Sequence, residues 1–447
     1  MARQNTQMIG SSVWQEGWSD QSYWLDGMGP QPDLPSDLPS EADVVIVGSG
    51  YTGLNAAIET ARGGKSTLVL EAGIPGFGCS TRNGGQISTS IKPSLDKLTA
   101  KYGTQRGTAI RREGESALDW IEQRIVDEKI DCDFRRVGRF HGAHSAQAFE
   151  EMARDAQKMH SAEDIEAYAV SRSDQMSELG SDNYHGGVVF PRHAAVDPAR
   201  YHLGLLNSAM QAGAEVRAHC AVTGITRRPV GFEIETEKGK VRADQVIVAT
   251  NGYTTGVTPW LRRRVIPIGS YIIATEALPP ALMDRLSPKD RIASDSRKVV
   301  YYYRPSPDRT RILFGGRVSA NETDPHISGP RLYEDMCRVF PELRGYQISH
   351  SWMGTVAYTF DELAHTGTHD GVHYALGYCG SGVSMASYLG MRTGQKVLGL
   401  KDGQTAFDDL PFPTRPLYTG TPWFLPPVVA WYRWRDRMQY QRSMTAG

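Results

Sequence analysis

The sequence predicts an α/β protein of two units: a parallel sheet covered by helices, and a substrate-side sheet of antiparallel or mixed pairing with its own helices. Three observations lead there. Residues 43–47 (DVVIV) form a β-branched run without polar alternation, the pattern of a strand buried on both faces. That run enters Gly48, Gly50 and Gly53, then an Ala-rich helical stretch over Tyr51–Arg62 and a second apolar strand over 66–70 that ends at Glu71. Farther on, 265–276, 299–304 and 311–316 read as strands, the last two joined by a turn over 305–308, as an antiparallel sheet requires.

The other elements follow in order. Residues 1–40 are polar, rich in Ser, Gly and Pro, and carry Trp14, Trp18, Tyr23 and Trp24, an extended arm wrapping the body. Charged amphipathic helices cover 94–129, with Ala117, Trp120, Ile121 and Ile125 at helical spacing. A strand over 133–141, a helix over 146–162, strand Gly187–Phe190, a helix over 198–212 and strands over 215–221, 232–237 and 245–249 come next. Residues 374–376 lead into GYCGSGVSMASYLG, a glycine-rich strand-to-helix junction. The expected division is an arm (1–40), a nucleotide-binding domain in three pieces (41–95, 187–262, 347–410), a substrate domain in two (96–186, 263–346) and a tail (411–447).

Composition excludes several classes. The 447 residues hold 49 Lys+Arg against 50 Asp+Glu, a formal net charge of -1, so the basic excess of a nucleic-acid binder is missing. Cys79, Cys132, Cys220, Cys337 and Cys379 lack CxxC or CxH spacing, so neither a disulfide framework nor a zinc site is expected, and the chain reads as reduced and cytoplasmic. His141, His144 and His193 show no metal-ligand spacing, and no metal is expected. The N-terminus has no apolar core of a secretory signal. Residues 423–431 are short and broken by Pro426 and Pro427, so no membrane span is expected, and the aromatic tail either packs on its own domain or meets a membrane surface.

Gly48-Ser49-Gly50-Tyr51-Thr52-Gly53 fits GxGxxG. The first glycine permits a tight turn, the second lets the backbone approach a pyrophosphate, and the third allows close packing of helix on strand. Phosphates then sit at the helix N-terminus, where free N–H groups and the helix dipole favour negative charge. Glu71, at the end of the second strand, is placed to accept hydrogen bonds from ribose hydroxyls. The loop GCSTRNGGQ over 78–86 adds backbone donors, a guanidinium and an amide, which a flavin dinucleotide held along its length needs and a nicotinamide dinucleotide does not.

Together, DVVIVGSGYTGLNAA, LEAG, CSTRNGGQ, VIVATNGY and GYCGSGVSMASYLG resemble the D-amino-acid oxidase type of FAD-dependent oxidoreductases, with matches spread over about residues 41–435. RNGGQIS and FPTRPLYTGTPWFLPPVVAWYRWRDR are most similar to its gamma-glutamylputrescine oxidase branch. The resemblance implies a Rossmann-like FAD-binding domain in which Gly48, Gly50, Tyr51, Thr52, Gly53, Glu71 and Ala72 hold the ADP half. It places Ser80, Arg82, Asn83, Gly84, Gly85 and Gln86 toward the flavin, Val222 at the adenine, Thr250, Asn251, Gly252 and Gly354 along the cofactor, and Gly380, Ser381, Gly382 and Val383 at the pyrimidine side of the isoalloxazine. Related sarcosine oxidases attach their flavin through a cysteine before a Tyr-Thr pair. The comparable stretch here, 355–359 (TVAYT), has none, so FAD is expected to bind non-covalently, with Cys79 and Cys379 as packing residues.

The same resemblance implies oxidation of a C–N bond in a small amine or amino-acid-like substrate, with O2 the expected acceptor and a polyamine derivative the leading example. Tyr301 and Tyr303 alternate along a strand and share a face opposite Tyr302; with Tyr271 they either wall the substrate or pack beneath the sheet. Arg304 or Arg317 is a candidate for a substrate carboxylate, and His365, which with Trp352 flanks the segment approaching the flavin, for the substrate's ammonium proton. Alternatives are a dehydrogenase with another acceptor, a structural flavoprotein, a flavin hydroxylase, for which no Gly-Asp-Ala-type motif is found, and a plain NAD-dependent dehydrogenase. Oligomeric state stays open.

Overall fold

The computed structural model describes residues 13–163, 165–317 and 324–445, without the side chains of Ala162, Arg437 and 440–445. Its core is a run of five parallel strands in the order Glu215–Arg217, Thr67–Leu70, Glu41–Val47, Gly239–Val248 and Val372–Leu376. The central strand is paired on both edges, and Val44, Val45 and Ile46 are fully enclosed, which is why it reads as an unbroken apolar run. Gly239–Val248 forks: its first half pairs antiparallel with Phe232–Thr236 and its last residues pair parallel with Val372–Leu376. The helices Tyr51–Arg62 and Gly382–Val397 pack backbone to backbone, since a Cβ at Gly390 would lie 2.3 Å from the Thr52 carbonyl oxygen.

The second sheet has nine strands among the described residues, ordered Trp14–Ser19, Ile348–Thr359, Val265–Thr275, Ile312–Gly316, Tyr302–Pro305, Ile292–Asp295, Arg139–Gly142, Gly187–Phe190 and Tyr168–Val170. It is mixed, with parallel pairs only where Trp14–Ser19 and Arg139–Gly142 join it among those residues. Directly opposed residues share a face. One row therefore crosses seven strands as Val188, His141, Ser294, Tyr302, Gly315, Ile272 and Trp352. The adjacent row, Phe140, Ala293, Tyr303, Phe314 and Ile273, points the other way into a core shared with Leu332 and Met336 of helix Pro325–Val339.

Several expectations need correction. The helices expected over 94–129 are present as Leu95–Tyr102 and Thr104–Asp127, parted at Gly103 with φ +81°, but their placement differs. Their apolar faces (Leu98, Ile110, Ala117, Ile121) join Ile46 and Leu54, so they cover the parallel sheet rather than the substrate sheet. Gly187–Phe190 and Ile348–Thr359 lie in the second sheet, so the boundaries drawn at 187 and 347 do not separate the two sheets. Amphipathicity tells that a face is buried, not against which partner. The strand expected from 133 begins only at Arg139, after left-handed Asp133 and Gly138, and the one expected to 221 stops at Arg217 before left-handed His219. In the tail, Pro426 and Pro427 occupy the first turn of helix Leu425–Thr445, where a missing N–H costs nothing, and so open a helix instead of breaking one.

The described part of the arm is a strap, as its composition suggests. Trp14–Ser19 adds an edge strand, Ser22 Oγ donates to the Thr81 carbonyl (2.9 Å), and buried Trp24 donates Nε1 to the Asn83 carbonyl (2.8 Å). Among the described residues no helix is long and apolar enough to cross a membrane.

Candidate cofactor and substrate site

Where the parallel strands end, a cleft of about 560 Å³ is lined by Gly48, Gly50, Tyr51, Thr52, Glu71, Ala72, Cys79, Ser80, Val222, Thr250, Asn251, Tyr253 and Tyr378. This is the crevice in which open α/β sheets receive ligands. Gly48 is left-handed (φ +102°), and a Cβ at Gly53 would lie 1.9 Å from the Gly48 carbonyl oxygen, so helix and strand meet only through glycine. The Tyr51 N–H, at the helix N-terminus, is met by Ser80 Oγ at 3.1 Å, and a Cβ at Gly50 would lie 3.0 Å from the same atom. Glu71 accepts from the Ser49 N–H (3.0 Å), Ser49 Oγ (2.7 Å) and Gly73 N–H (3.1 Å), which pins its carboxylate at the strand end. Glycine cradle, helix N-terminus and fixed acid fit a dinucleotide.

Beyond the cleft, the second loop is tightly built. Asn83 Nδ2 donates to the Cys79 and Ser80 carbonyls (3.0 and 3.2 Å), while its Oδ1 accepts from the Gly85 N–H (2.8 Å), so Asn83 shapes the loop with its whole amide. Gln86 Nε2 donates to the Tyr303 carbonyl (3.1 Å), locking the loop to the second sheet. Cys79 ties the two ends together, lining the cleft while a Cβ at Gly354 would lie 2.9 Å from its Sγ. Gly252 approaches Thr355 more closely still, a Cβ there lying 2.5 Å from the Thr355 carbonyl oxygen, and Asn251 Oδ1 accepts from the Gly377 N–H (2.9 Å). Gly380 is left-handed (φ +98°), Ser381 Oγ donates to the Ser90 carbonyl (2.7 Å), and helix Gly382–Val397 begins there with Val383 buried. Arg82 lies over Phe77, its guanidinium 4.4 Å from the ring centre, with a buried Nε that has no protein partner.

For catalysis and substrate, the structure redistributes the expected residues. Tyr301 and Tyr303 do share a face, but it is the one turned to helix Pro325–Val339: Tyr303 stacks on Phe314 and meets Tyr184 (OH to OH, 3.0 Å), and Tyr271 is fully enclosed in the same core. Tyr302 is the tyrosine turned toward the glycine loop at Gly84. Its ring lies 3.0 Å from a Cβ built at Gly84, crosses Gly315, and brings its hydroxyl to Ser270 Oγ (2.7 Å). Arg304 is buried, donating to the Gly85 and Val196 carbonyls (2.8 and 2.9 Å), so it holds the loop 82–86 in place and is not free for a substrate. Trp352 is buried with Trp24 and donates Nε1 to the Arg82 carbonyl (3.0 Å), which makes it a loop support. His365 is 1% exposed, stacked 3.9 Å from Phe412 and held by Asp361 (3.0 Å), leaving it no path to a substrate proton. Arg317 follows Gly316, is half-buried, and its carbonyl accepts from Arg433 Nη2 at 3.0 Å.

Tyr302 and Ser270 escaped the sequence reading, as did the His141 Nδ1–Ser294 Oγ contact (2.8 Å) in the same row. Strand alternation was the available signal, and it sorts residues onto faces without naming the face that meets the cofactor. Burial pulls His141 down to about 3, with Arg139 and Lys92 adding to the effect, so its imidazole is neutral at physiological pH.

The sequence model of the family described as "DAO: FAD dependent oxidoreductase" matches residues 43–395. Gamma-glutamylputrescine oxidoreductase of Escherichia coli (strain K12) is 31% identical over 414 residues, covering 90% of this chain and 96% of that protein. A probable oxidoreductase, OrdL, of Haemophilus influenzae is 28% identical over 401 residues, covering 88% and 91%. Glycine oxidase from Geobacillus kaustophilus shares the fold, with a TM-score of 0.71 at 18% identity over 85% of this chain and 99% of that one. Iminodiacetate oxidase from Chelativorans sp. does likewise, with a TM-score of 0.64 at 18% identity over 85% and 99%.

Proposed function

The chain belongs to the DAO family of FAD-dependent oxidoreductases, an enzyme family acting on C–N donors, and from that premise we propose that it oxidises a small amine, with gamma-glutamylputrescine or a related polyamine derivative as the leading substrate. The contact of Tyr302 with Gly84 carries this reading, because it lays a polar face of the second sheet directly over the loop at the flavin end. Bound there, FAD would supply the two-electron chemistry, taking a hydride from the carbon bearing the amine nitrogen, with O2 as the acceptor we propose and H2O2 as product; water would hydrolyse the resulting imine to a carbonyl compound and a smaller amine.

The chain's own groups supply the setting. Gly48, Gly50 and the N–H groups opening Tyr51–Arg62 would hold the pyrophosphate, Glu71 the ribose, and the Val222 backbone would meet the adenine. The loop 82–86 and Gly354 bracket the flavin end, and the N-terminus of Gly382–Val397 favours negative charge on that side. Tyr302 and Ser270, joined at 2.7 Å, orient the substrate against the cofactor. Non-covalent binding is supported by the nearby thiols: burial pushes Cys79 up to about 12 and Cys379 up to about 11, so neither is a thiolate nucleophile at neutral pH. The five cysteines are unpaired, which suits the reducing cytoplasm we propose as its compartment.

The test is an absorbance spectrum before and after anaerobic addition of gamma-glutamylputrescine, putrescine, sarcosine and D- and L-amino acids. Bleaching of the flavin band by an amine supports the reading, and its rapid return in air supports O2 as acceptor over a dehydrogenase's partner. A flavin that no amine bleaches would sink it.

A further inference from the structure

Residues 411–447 carry five arginines (Arg415, Arg433, Arg435, Arg437 and Arg442) and one acid, Asp436, in a chain whose formal net charge is -1. The helix Leu425–Thr445 spends one side on the protein. Leu425 packs with Ile266, Ile268 and Tyr418, and Asp436, 7% exposed, accepts from the backbone N–H groups of Lys298 (3.3 Å) and Val299 (3.1 Å). The one carboxylate of the tail is thus turned inward and used. The outward side carries Trp431 (57% exposed) and Trp434 (53%), their ring centres 5.0 Å apart, and Trp423 (66%) precedes the helix. No other tryptophan among the described residues is exposed, and Leu417, the most exposed large apolar side chain among them at 87%, lies in the same tail.

A second set of cations adjoins this surface. Arg262, Arg263 and Arg264 are consecutive, and the tail is stitched to them. Thr414 Oγ1 donates to the Arg263 carbonyl, Arg264 Nε donates to the Phe412 carbonyl (3.0 Å), and a Cβ at Gly420 would lie 2.4 Å from Arg262 Cγ. A row of rings joins cations to tryptophans: the Arg415 guanidinium lies 5.3 Å from the centre of Phe360, Phe360 lies 6.2 Å from Phe424, and Phe424 lies 5.8 Å from Trp423. Arg263 and Arg415 are exposed, and among the described residues no carboxylate comes within ion-pair distance of Arg262, Arg263, Arg264 or Arg415. Of the acids on adjoining segments, Asp361 pairs with His365 and Lys101, Asp370 with His369 and Asp408 with Lys396. Glu362 and Asp409 remain, two acids against four guanidiniums.

An exposed apolar patch rimmed by charge marks a place of association, and here the charge selects the partner. A second copy in a two-fold contact would set the same arginines against themselves. An anionic lipid surface suits both halves of the patch, because indole rings settle at headgroup level and each arginine near the surface is drawn to the anionic headgroups. We propose that the face built from Trp423, Trp431 and Trp434 together with Arg263 and Arg415 seats the protein on an anionic lipid bilayer, as a peripheral protein whose tail lies at the interface. The seating is independent of which amine is oxidised.

Flotation of the FAD-loaded protein with vesicles of phosphatidylcholine alone, and of phosphatidylcholine mixed with phosphatidylglycerol, tests it. The expected result is binding to the anionic vesicles and not to the neutral ones, weakening steeply as salt is raised, with tryptophan emission shifted to the blue and quenched by brominated acyl chains. The double variant Arg263→Gln/Arg415→Gln should lower partitioning by about 10- to 30-fold. Arg263→Lys/Arg415→Lys should keep it, since a lipid surface reads charge rather than the guanidinium fork. Trp431→Ser/Trp434→Ser should lower both partitioning and quenching, and all three variants should keep the FAD content and Tm of wild type. No binding to anionic vesicles at low salt, equal binding to neutral ones, or binding that neither the arginine-to-glutamine nor the tryptophan variant weakens overturns the proposal. A dimer seen by light scattering that Trp431→Ser/Trp434→Ser dissolves, without vesicle binding, overturns it in favour of a second copy. Binding of polyglutamate but not of vesicles overturns it in favour of an acidic protein. Amine oxidation stands or falls separately, by the bleaching of the flavin.

Discussion

At the scale of single residues, the site depends on where a carbon atom is missing and on which carbonyls an arginine reaches. Gly53→Ala puts a Cβ against a backbone oxygen that cannot move, since the built distance is 1.9 Å. The variant is expected to purify without bound FAD and with a lowered Tm, read from the ratio of flavin to protein absorbance and from calorimetry. Gly50→Ala meets only the rotatable Ser80 hydroxyl at 3.0 Å within the protein and should keep its Tm while losing FAD through a Cβ placed where the pyrophosphate approaches, so an equal fall of Tm in both variants would refute the steric account. Arg304 makes a second case. Burial lowers its pKa to about 10, leaving it charged, and its bonds run to backbone carbonyls of the loop and of Val196. Arg304→Gln should cost about 2–4 kcal/mol of stability and weaken FAD while leaving discrimination among amines unchanged, which denaturant titration and Kd values for the amines named above check.

At the scale of elements, the arm and the helix pair matter most. Trp24, held in a core with Ile272, Leu313 and Trp352, clamps the Asn83 carbonyl from outside the nucleotide domain. Trp24→Ala removes both packing and hydrogen bond, an expected loss of about 3–5 kcal/mol accompanied by faster FAD release, measured by denaturation and by stopped-flow displacement. Unchanged FAD release would show that the strap stabilises the fold without shaping the loop. Helices Tyr51–Arg62 and Gly382–Val397 meet where Gly390 leaves room for the Thr52 carbonyl, so one contact fixes how the two helices sit against each other.

For the whole molecule, buried histidines set the response to acid. His141 is held down to about 3 by burial, His193 is held well below its ordinary value, and His202, fully buried with Nε2 2.8 Å from the Ser49 carbonyl oxygen, is lowered as well. The unfolded chain takes up these protons near about pH 6.5 while the folded chain does not, so stability is present above that pH and falls as pH drops toward about 3. Tm is expected to decline steadily below about pH 6.5 with net proton uptake on unfolding. His202→Gln should flatten that decline, and a slope identical to wild type would remove His202 from the account.

Much of this was legible beforehand, and the division has a physical reason. Strand, glycine turn, helix, strand and acid over 43–71 are local, each dictated by hydrophobic period or by backbone freedom, so the nucleotide cleft and the helix Tyr51–Arg62 were readable residue by residue. The pairing of Tyr301 with Tyr303 on one face was readable for the same reason. Which face met the cofactor was not, because alternation has no sign: only the docking of helix Pro325–Val339 on one side turned Tyr271, Tyr301 and Tyr303 inward and left Tyr302 over Gly84. The partners of Arg304, Trp352 and His365 are likewise far away in the chain or set by a loop, so their structural roles emerged only with the tertiary contacts. Sequence by itself determined the elements and the cofactor cradle; the packing of one sheet against the other decided which side chains face the chemistry.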